Sequence, residues 1–437
     1  MSPDEKIIIM GYGRTGKSLV NFLLKKNQNI TLYEEQEISP LDKKFLDDNK
    51  IKLINNFNDP LIKENYSKCF VSPGFDLRKK VFQGINKKII SNDISLINEV
   101  VSRDVIKIAI TGTNGKTTVC SILEQLLNYL SYPAKAVGNI GYPILSLNSE
   151  EKLKFLIVEI SSFQLEVLSP EARFNIAAIL NIEQDHLDRY NDFEDYKKAK
   201  LKLIEHSDYS IIMNNILDDQ YSKREDVFVS KGNNKSNKSS HEFYFKEGII
   251  KIDSPGLVGI HNGENIYTVL LVLKKIGINI YSNKIKEFFF NYKNVPHRIE
   301  LVDKFREVSF YDDSKATNLA STNAALRVFN EPLLLILGGL LKGQSLNGFS
   351  IPNNVKKIYL FGKDQQIFKD YFKSIEIKTP CENFVNLEDL MKRIFDEMVN
   401  GDIVLLSPGC ASMDLYKNYQ ERGSHFKALV ESYKNGF

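Results

Sequence analysis

Cysteine is scarce in this chain. Cys69, Cys120, Cys381 and Cys410 are scattered over 437 residues, with no CxxC pair and no histidine at metal-ligand spacing. This argues against a disulfide framework or a cysteine-based metal site, and it fits a reducing cytoplasm. Long apolar runs are also missing. None approaches the roughly 20 residues that cross a bilayer. The opening MSPDEKIIIMGYG carries acidic residues and a short strand-like run, unlike a signal peptide. Charge of one sign is not in excess either. The net +3 is small and the lysines are spread along the chain, whereas nucleic-acid binding calls for a concentrated basic stripe.

What is present is a globular composition, 43% hydrophobic and 26% charged, in a length that suggests about two to four domains. Three stretches alternate strand, turn and helix, the pattern of parallel sheets with crossover helices. The first runs from a strand at Lys6–Met10 through a Gly-rich turn and the apolar-periodic segment Leu19–Leu24 to a strand at Ile30–Tyr33, with a later turn at Ser72-Pro73-Gly74. The second opens with a strand at Ile106–Ile110 and a helix reaching about Leu130. It continues with strands at Phe155–Ile160 and Ile176–Leu180 and a helix at Asn265–Ile276. Its polar patch Lys231–Ser240 reads as a solvated loop between short strands. The third begins near Arg298, with strands at Leu333–Leu337, Lys357–Phe361 and Ile403–Ser407. Boundaries near residues 94 and 298 give three α/β domains, 1–94, 95–298 and 299–437.

Two glycine loops follow strands. In Gly112-Thr113-Asn114-Gly115-Lys116-Thr117-Thr118, backbone amides and a helix N-terminus can hold phosphate oxygens. Lys116 would supply a cation to the outer phosphates, and the Thr117 hydroxyl could ligate magnesium. The usual phosphate loop has four residues between its glycines, and here there are two; an ordinary strand–helix turn is the plain alternative. The other loop, Gly11-Tyr12-Gly13-Arg14-Thr15-Gly16, matches GxGxxG, with Glu34 and Glu35 where a ribose-binding acid would fall. Dinucleotide binding and binding of another nucleotide's diphosphate fit it equally well.

The middle stretch holds the densest polar constellation. Glu159 follows the strand Phe155–Val158, at the sheet mouth where a carboxylate can reach magnesium directly or through water; a helix-capping glutamate ahead of Ser161-Ser162 is the alternative. Asn181–Tyr190 follows the next strand and brings His186 and flanking acids to the same mouth, available to metal and substrate; a satisfied structural histidine is the alternative. Asn191-Asp192-Phe193-Glu194 resembles a capped helix start. Tyr196, Ala199 and Leu203 mark the apolar face of that helix. Spacing alone would leave Lys200 as solvated surface.

Assembled, these residues resemble the Mur ligases, the amide-forming ATPases of bacterial cell-wall synthesis. The resemblance spans essentially the whole chain. ITGTNGKTTV, GNIGYP, EISSFQLE, QDHLDRY, HNGEN and PHRIE fall in the family's order. DDSKATN and LSPGCASMDLYKNYQERG point to the branch that joins D-glutamate to UDP-N-acetylmuramoyl-L-alanine. The resemblance implies a Rossmann-like N-terminal domain for the UDP sugar, a central P-loop ATPase domain with a mostly parallel sheet, and a mobile C-terminal Rossmann-like α/β domain. It implies a monomer in the bacterial cytoplasm, with ATP and two magnesium sites served by Thr117, Glu159, His186 and Lys200, the last a candidate for carbamylation. Lys116, His186 and Lys200 would be catalytic. Asn262, Asn265, Arg298 and Asp313 would join the phosphate loop around ATP. Arg14, Thr15, Gly74, Asn139 and His186 would meet the UDP substrate. Lys315, Thr317, Lys342, Ser412, Met413 and Tyr419 would meet D-glutamate, two cations and hydroxyls suiting a dicarboxylate.

The chain also departs from the family pattern. Tyr419 stands where phenylalanine is more usual, Gly338–Lys342 is more apolar than the norm, and Glu34-Glu35-Gln36 lacks an arginine expected after the second strand. Competing expectations are a folylpolyglutamate-type ligase, against which DDSKATN and the first Gly-rich turn argue, and a nicotinamide dehydrogenase, which leaves the second loop unexplained. A non-catalytic nucleotide-binding regulator gives no reason for Lys200 or the Lys315/Lys342 pair.

Overall fold

The computed structural model describes residues 5–435 apart from 57, 149–151, 187–188, 214–220, 222, 231–233, 238 and 258. Two compact units emerge. One comprises Met1–Gly112, Val119–Asn181 and Glu194–Lys231, the other Thr113–Thr118, Ile182–Phe193 and Gly232–Phe437.

The first unit contains two parallel sheets. Strands β1 (Lys6–Met10), β2 (Asn29–Tyr33), β3 (Lys52–Ile54), β4 (Lys68–Val71) and β5 (Ile90–Ser91) lie in the order β3-β2-β1-β4-β5. The order reverses beside β1, and crevices that take ligands form at the carboxyl ends of strands at such a point. β1 is apolar on both faces, with Ile7, Ile8, Ile9 and Met10 all buried, as a strand sandwiched between layers must be. Gly16 is required in the following turn, because a Cβ there would run into Gly11 O.

The second sheet uses β6 (Ile106–Thr111), β7 (Ala134–Gly138), β8 (Phe155–Glu159), β9 (Ile176–Ile179), β10 (Ser210–Ile212) and β11 (Val227–Val229), in the order β11-β10-β9-β6-β8-β7. All its pairings are parallel. The expected strands are all found, to within a residue at their ends. Val119, Ile122, Leu123 and Leu126 of the helix Lys116–Tyr129 are buried, at the i, i+3, i+4, i+7 spacing of a core-facing stripe.

The second unit has a three-stranded antiparallel sheet and a six-stranded mixed one. The first pairs β12 (Asn234–Ser236), β13 (Ser240–Phe245) and β14 (Gly248–Asp253). The polar patch Lys231–Ser240 is therefore only partly a loop: its described residues 234–236 form an edge strand, with Asn234 opposite Phe243 and Ser236 opposite His241. An edge strand tolerates such residues because one side of its ladder faces away from the sheet. The helix predicted from Asn265 starts earlier, at Ile260, after Gly259 with φ 112.

The last sheet runs β15-β16-β20-β17-β18-β19, from β15 (Glu300–Phe305), β16 (Val308–Asp312), β17 (Leu333–Gly338), β18 (Val355–Phe361), β19 (Cys381–Asn383) and β20 (Ile403–Leu406). Only β15 pairs antiparallel, through the hairpin to β16. Apolar clusters cover both faces of this sheet. No helix among the described residues is long and apolar enough to cross a membrane.

Candidate active site

In the first unit, the carboxyl ends of β6, β7 and β8 are tied together. Thr111 Oγ1 donates to Ile160 O at 2.8 Å, and Asn139 N donates to Glu159 O at 2.9 Å. Gly138, with φ +91, allows that approach: a Cβ there would run into Glu159 O. Asn139 Nδ2 then donates to Glu159 Oε1 at 2.9 Å. Glu159 is 1% exposed, and its Oε2 has no hydrogen-bond partner among the described residues. Leaving a buried carboxylate oxygen unpaired is unfavourable, and an oxygen of this kind is what a hard cation such as magnesium takes. The helix-cap alternative falls away, since Ser161 and Gln164 form the capping box themselves.

Lys200 corrects the surface reading that its spacing suggests. It sits on the helix Phe193–Leu201, is 1% exposed, donates from Nζ to Gly112 O at 2.8 Å and lies over the Tyr196 ring at 4.7 Å. A lysine is rarely buried this fully. Here the head group is drawn in by the carbonyl at the start of the phosphate loop.

The GxGxxG turn of the first unit has its own ligation. Glu34 Oε2 accepts from Tyr12 N at 2.6 Å and Oε1 from Gln36 N at 3.0 Å, so the candidate ribose acid braces the turn's own backbone. Glu35 pairs with Lys79 and accepts from Tyr33 Oη at 3.0 Å. The Arg14 guanidinium lies beside Gly141, two residues after Asn139. Thr15 O accepts from Ser18 Oγ, and Gly74 ends the turn after β4.

In the second unit, the loop residues Thr113–Thr118 are held at their tip. Asn114 Nδ2 donates to Glu183 Oε2 at 2.8 Å, and Thr113 Oγ1 accepts from Glu183 N at 2.9 Å. Asn318 Nδ2 reaches both Asn114 Oδ1 and Asp185 Oδ2 at 3.2 Å, and Ser321 Oγ donates to Asn114 Oδ1 at 2.8 Å. Gly115 has φ 83, and Lys116 Nζ folds back onto Thr113 O at 2.8 Å. Thr117 is half-buried and Thr118 buried at the start of the helix. His186, with φ 55, donates from its backbone N to Asp185 Oδ1 at 2.9 Å and is half-buried. Leu187 and Asp188 of the QDHLDRY motif lie outside the described residues.

Asn262 and Asn265 are buried in the first turns of the helix Ile260–Lys275, Asn265 Nδ2 donating to Asn262 Oδ1 at 3.0 Å. Asp313 follows β16 and is buried. It accepts from Ser407 Oγ at 2.8 Å and Ile299 N at 3.3 Å, and burial pushes its carboxyl up to about 7 against the pull of Arg298. Lys315 Nζ lies 3.9 Å from the Tyr419 ring centroid. Leu340 and Ala411 exchange backbone hydrogen bonds at 2.9 Å, which brings the loop carrying Lys342 alongside Ser412. Ser412 is buried and Thr317 half-buried, whereas Met413 is 63% exposed.

Sequence reasoning missed Arg422. It is fully buried; its Nε donates to Ser314 Oγ at 2.9 Å, and its Nη2 to Ser314 O at 2.8 Å and Cys410 O at 3.0 Å. Nothing in the polar run YQERG distinguishes it from a surface arginine. Its partners are Ser314, 108 residues away, and the carbonyl of Cys410 across an intervening loop, which no local pattern encodes.

Comparison with known proteins follows the chain end to end. Three family models match in order: Mur ligase MurD-like, N-terminal domain, over residues 5–92; Mur ligase middle domain over 110–273; and Mur ligase, glutamate ligase domain, over 297–410. UDP-N-acetylmuramoylalanine--D-glutamate ligase of Francisella philomiragia is 33% identical over 445 residues, covering 98% of this chain and 97% of its own. That of Francisella tularensis subsp. novicida is 33% identical over 441 residues, covering 97% and 95%. Among solved structures, UDP-N-acetylmuramate-alanine ligase from Thermotoga maritima superposes with a TM-score of 0.60 at 16% identity, covering 99% of this chain and all of its own. A bifunctional folylpolyglutamate synthase/dihydrofolate synthase gives 0.58 at 15% identity, covering 78% of this chain and 93% of its own. At such identities the structural matches speak for the fold alone.

Proposed function

The chain belongs to the Mur ligase family, with that family's three α/β domains, and on that premise we propose that it joins D-glutamate to UDP-N-acetylmuramoyl-L-alanine at the expense of ATP. The observation that carries the chemistry is Glu159, a buried carboxylate with one unpartnered oxygen in the sheet whose β6 leads into the phosphate loop. The relatives' full-length similarity supports the choice of substrates.

A carboxylate is a poor acyl donor. The terminal L-alanine carboxylate attacks the γ-phosphorus of ATP and ADP leaves, giving an acyl phosphate. The D-glutamate amine then attacks the acyl carbon, loses a proton and expels phosphate, leaving an amide. Lys116 and the amides of Gly112–Thr118 hold the transferring phosphoryl group where its charge builds. Asn139, fixed by Gly138 and Glu159, orients the substrate's peptide end. Thr117, Glu159, His186 and Lys200 would hold magnesium, which supplies positive charge to the phosphoryl oxygens. Carbamylation of Lys200 would give it a carboxylate for that purpose. Asn262, Asn265, Arg298 and Asp313 bind the nucleotide, and Arg14, Thr15 and Gly74 the UDP group. Lys315, Thr317, Lys342, Ser412, Met413 and Tyr419 receive D-glutamate and keep water from the acyl phosphate. We assign domains at 1–94, 95–298 and 299–437 to UDP sugar, ATP and amino acid, in a monomer of the bacterial cytoplasm.

The test is phosphate release from ATP. It should require both UDP-N-acetylmuramoyl-L-alanine and D-glutamate, and Lys116→Ala should abolish it while leaving UDP-substrate binding measurable. Turnover with other amino acids or a folate acceptor in place of these would assign the chain to another amide-ligase branch. Unchanged turnover in the variant would remove Lys116 from the phosphate role.

A further inference from the structure

A second polar cluster centres on His297, which nothing above gives a role. His297 Nδ1 hydrogen-bonds Asp312 Oδ2 at 2.6 Å, with both side chains buried. His297 N donates to Glu300 Oε2 at 2.7 Å. Lys427, on the helix Tyr419–Asn435, donates to the same oxygen at 2.7 Å and stands 3.7 Å from Asp312 Oδ2. The backbone here is strained: His297 has φ 66 and Ile299 φ 45, and a β-branched residue in that region persists only when its surroundings hold it there. Gly423 is part of the hold, since any Cβ would run into His297 Nδ1.

His297, Glu300 and Asp312 offer ligand atoms within 4.8 Å of one another, a grouping that suits a cation. The Lys427 ammonium already fills that role. The cluster is therefore a clasp.

What it clasps is visible from the chain order. Arg298 follows His297, and Asp313 follows Asp312, so one residue of each pair is spent on the clasp and its neighbour is left for the nucleotide. Ile299 N bonds Asp313 Oδ1 at 3.3 Å across the two segments. On the other side, Lys315 N donates to His297 O at 3.1 Å, Ser314 N to Asp312 Oδ1 at 2.9 Å and Ser314 Oγ to Tyr419 O at 2.9 Å. The Tyr419 ring meets the imidazole edge-on at 6.0 Å.

We propose that the His297–Asp312 pair is a positioning clasp that sets Arg298 and Asp313 for the nucleotide and Lys315 and Tyr419 for the amino acid in a single geometry. The inference rests on the roles proposed above for those four residues. Loss of the clasp loosens both subsites together and leaves the UDP-sugar subsite, built from other segments, as it was.

Steady-state constants for all three substrates test this. His297→Ala should raise KM for ATP and for D-glutamate together, roughly tenfold each, since misplaced binding groups have effects of at least that size. KM for the UDP substrate should stay within about twofold. His297→Asn, whose amide can replace the Nδ1 donor, should recover most of the loss. A merely structural role would lower the melting temperature and the fraction of active enzyme with every KM unchanged, and that result overturns the clasp. So does a rise confined to one of the two substrates. If His297→Ala does not fold, Lys427→Met leaves the ring in place, and smaller rises in the same two constants are expected; no rise in either overturns the proposal. Wild-type turnover without a D-glutamate requirement would fail the underlying reading instead, and titration of the folded variants with ADP would still test the nucleotide half of the clasp.

Discussion

The carboxyl ends of the central sheet and the loops of the C-terminal sheet are built on opposite principles. At the central sheet, the side chains proposed for catalysis sit at or just beyond strand ends, joined by a few short bonds, and one of them keeps an unsatisfied oxygen: Glu159 meets Asn139 on one side only. At the C-terminal sheet, segments are bound to one another by a fully buried arginine that donates to the carbonyls of Ser314, Gly338 and Cys410 and to the Ser314 hydroxyl. The first arrangement leaves polar capacity open for a ligand. The second turns its guanidinium inward, and the side chains proposed to meet D-glutamate, Lys315, Lys342 and Met413, take no part in those bonds. Unspent charge suits the metal-bound phosphate proposed for the central sheet, and firmly held loops suit the small amino acid proposed for the C-terminal one.

The largest expected effect tests the first half of that contrast. Glu159→Gln keeps the shape of the side chain and its contact with Asn139 while removing the carboxylate. Phosphate release should fall on the order of a thousandfold, about 4 kcal/mol of transition-state stabilisation, with no loss of melting temperature. A variant within tenfold of wild type would show that the open oxygen serves no ligand.

Arg422→Met tests the second half. It keeps most of the apolar stem and orphans several buried backbone carbonyls, so unfolding free energy should fall by about 3 kcal/mol or more, read from denaturant melts. Activity should fall with the folded fraction and with a raised KM for D-glutamate. An unchanged melt would mean that packing, and not the guanidinium, holds the loops.

The same contrast explains what could be read in the sequence. Strands such as Ile106–Thr111 and Leu333–Gly338 are continuous apolar runs closed by a glycine turn, so local pattern is enough to find them. Glu159 was legible because its place depends only on the end of its own strand. Lys200 was not: its burial depends on Gly112, 88 residues away, and the helix pattern alone marks Tyr196, Ala199 and Leu203 as inward. Arg422 and His297 fail to stand out for the same reason, each defined by partners from other segments. The strand at Asn234–Ser236 was missed because its residues are polar and only the register with β13 makes them a strand.

The smallest effect concerns Asp313, which belongs to neither pattern cleanly. It is buried like Arg422, yet the resemblance to the Mur ligases gives it to a ligand, the nucleotide, as it gives Glu159 to magnesium. Burial raises its carboxyl from the usual value to about 7. Burial penalises only the ionised form of this acid, so the folded state is favoured while the carboxyl is neutral and loses ground once the native group must ionise. That contribution is fully present below about pH 4 and fades as pH rises through about 7. Asp313→Asn, which cannot ionise, should flatten this part of the profile. The wild type should lose more melting temperature than the variant between pH 5 and pH 8, by on the order of a few degrees. Parallel profiles would mean that Arg298 and Ser407 hold the carboxylate charged throughout. The residue would then group with Glu159 as a standing negative charge, and the two regions would differ less than their burial suggests.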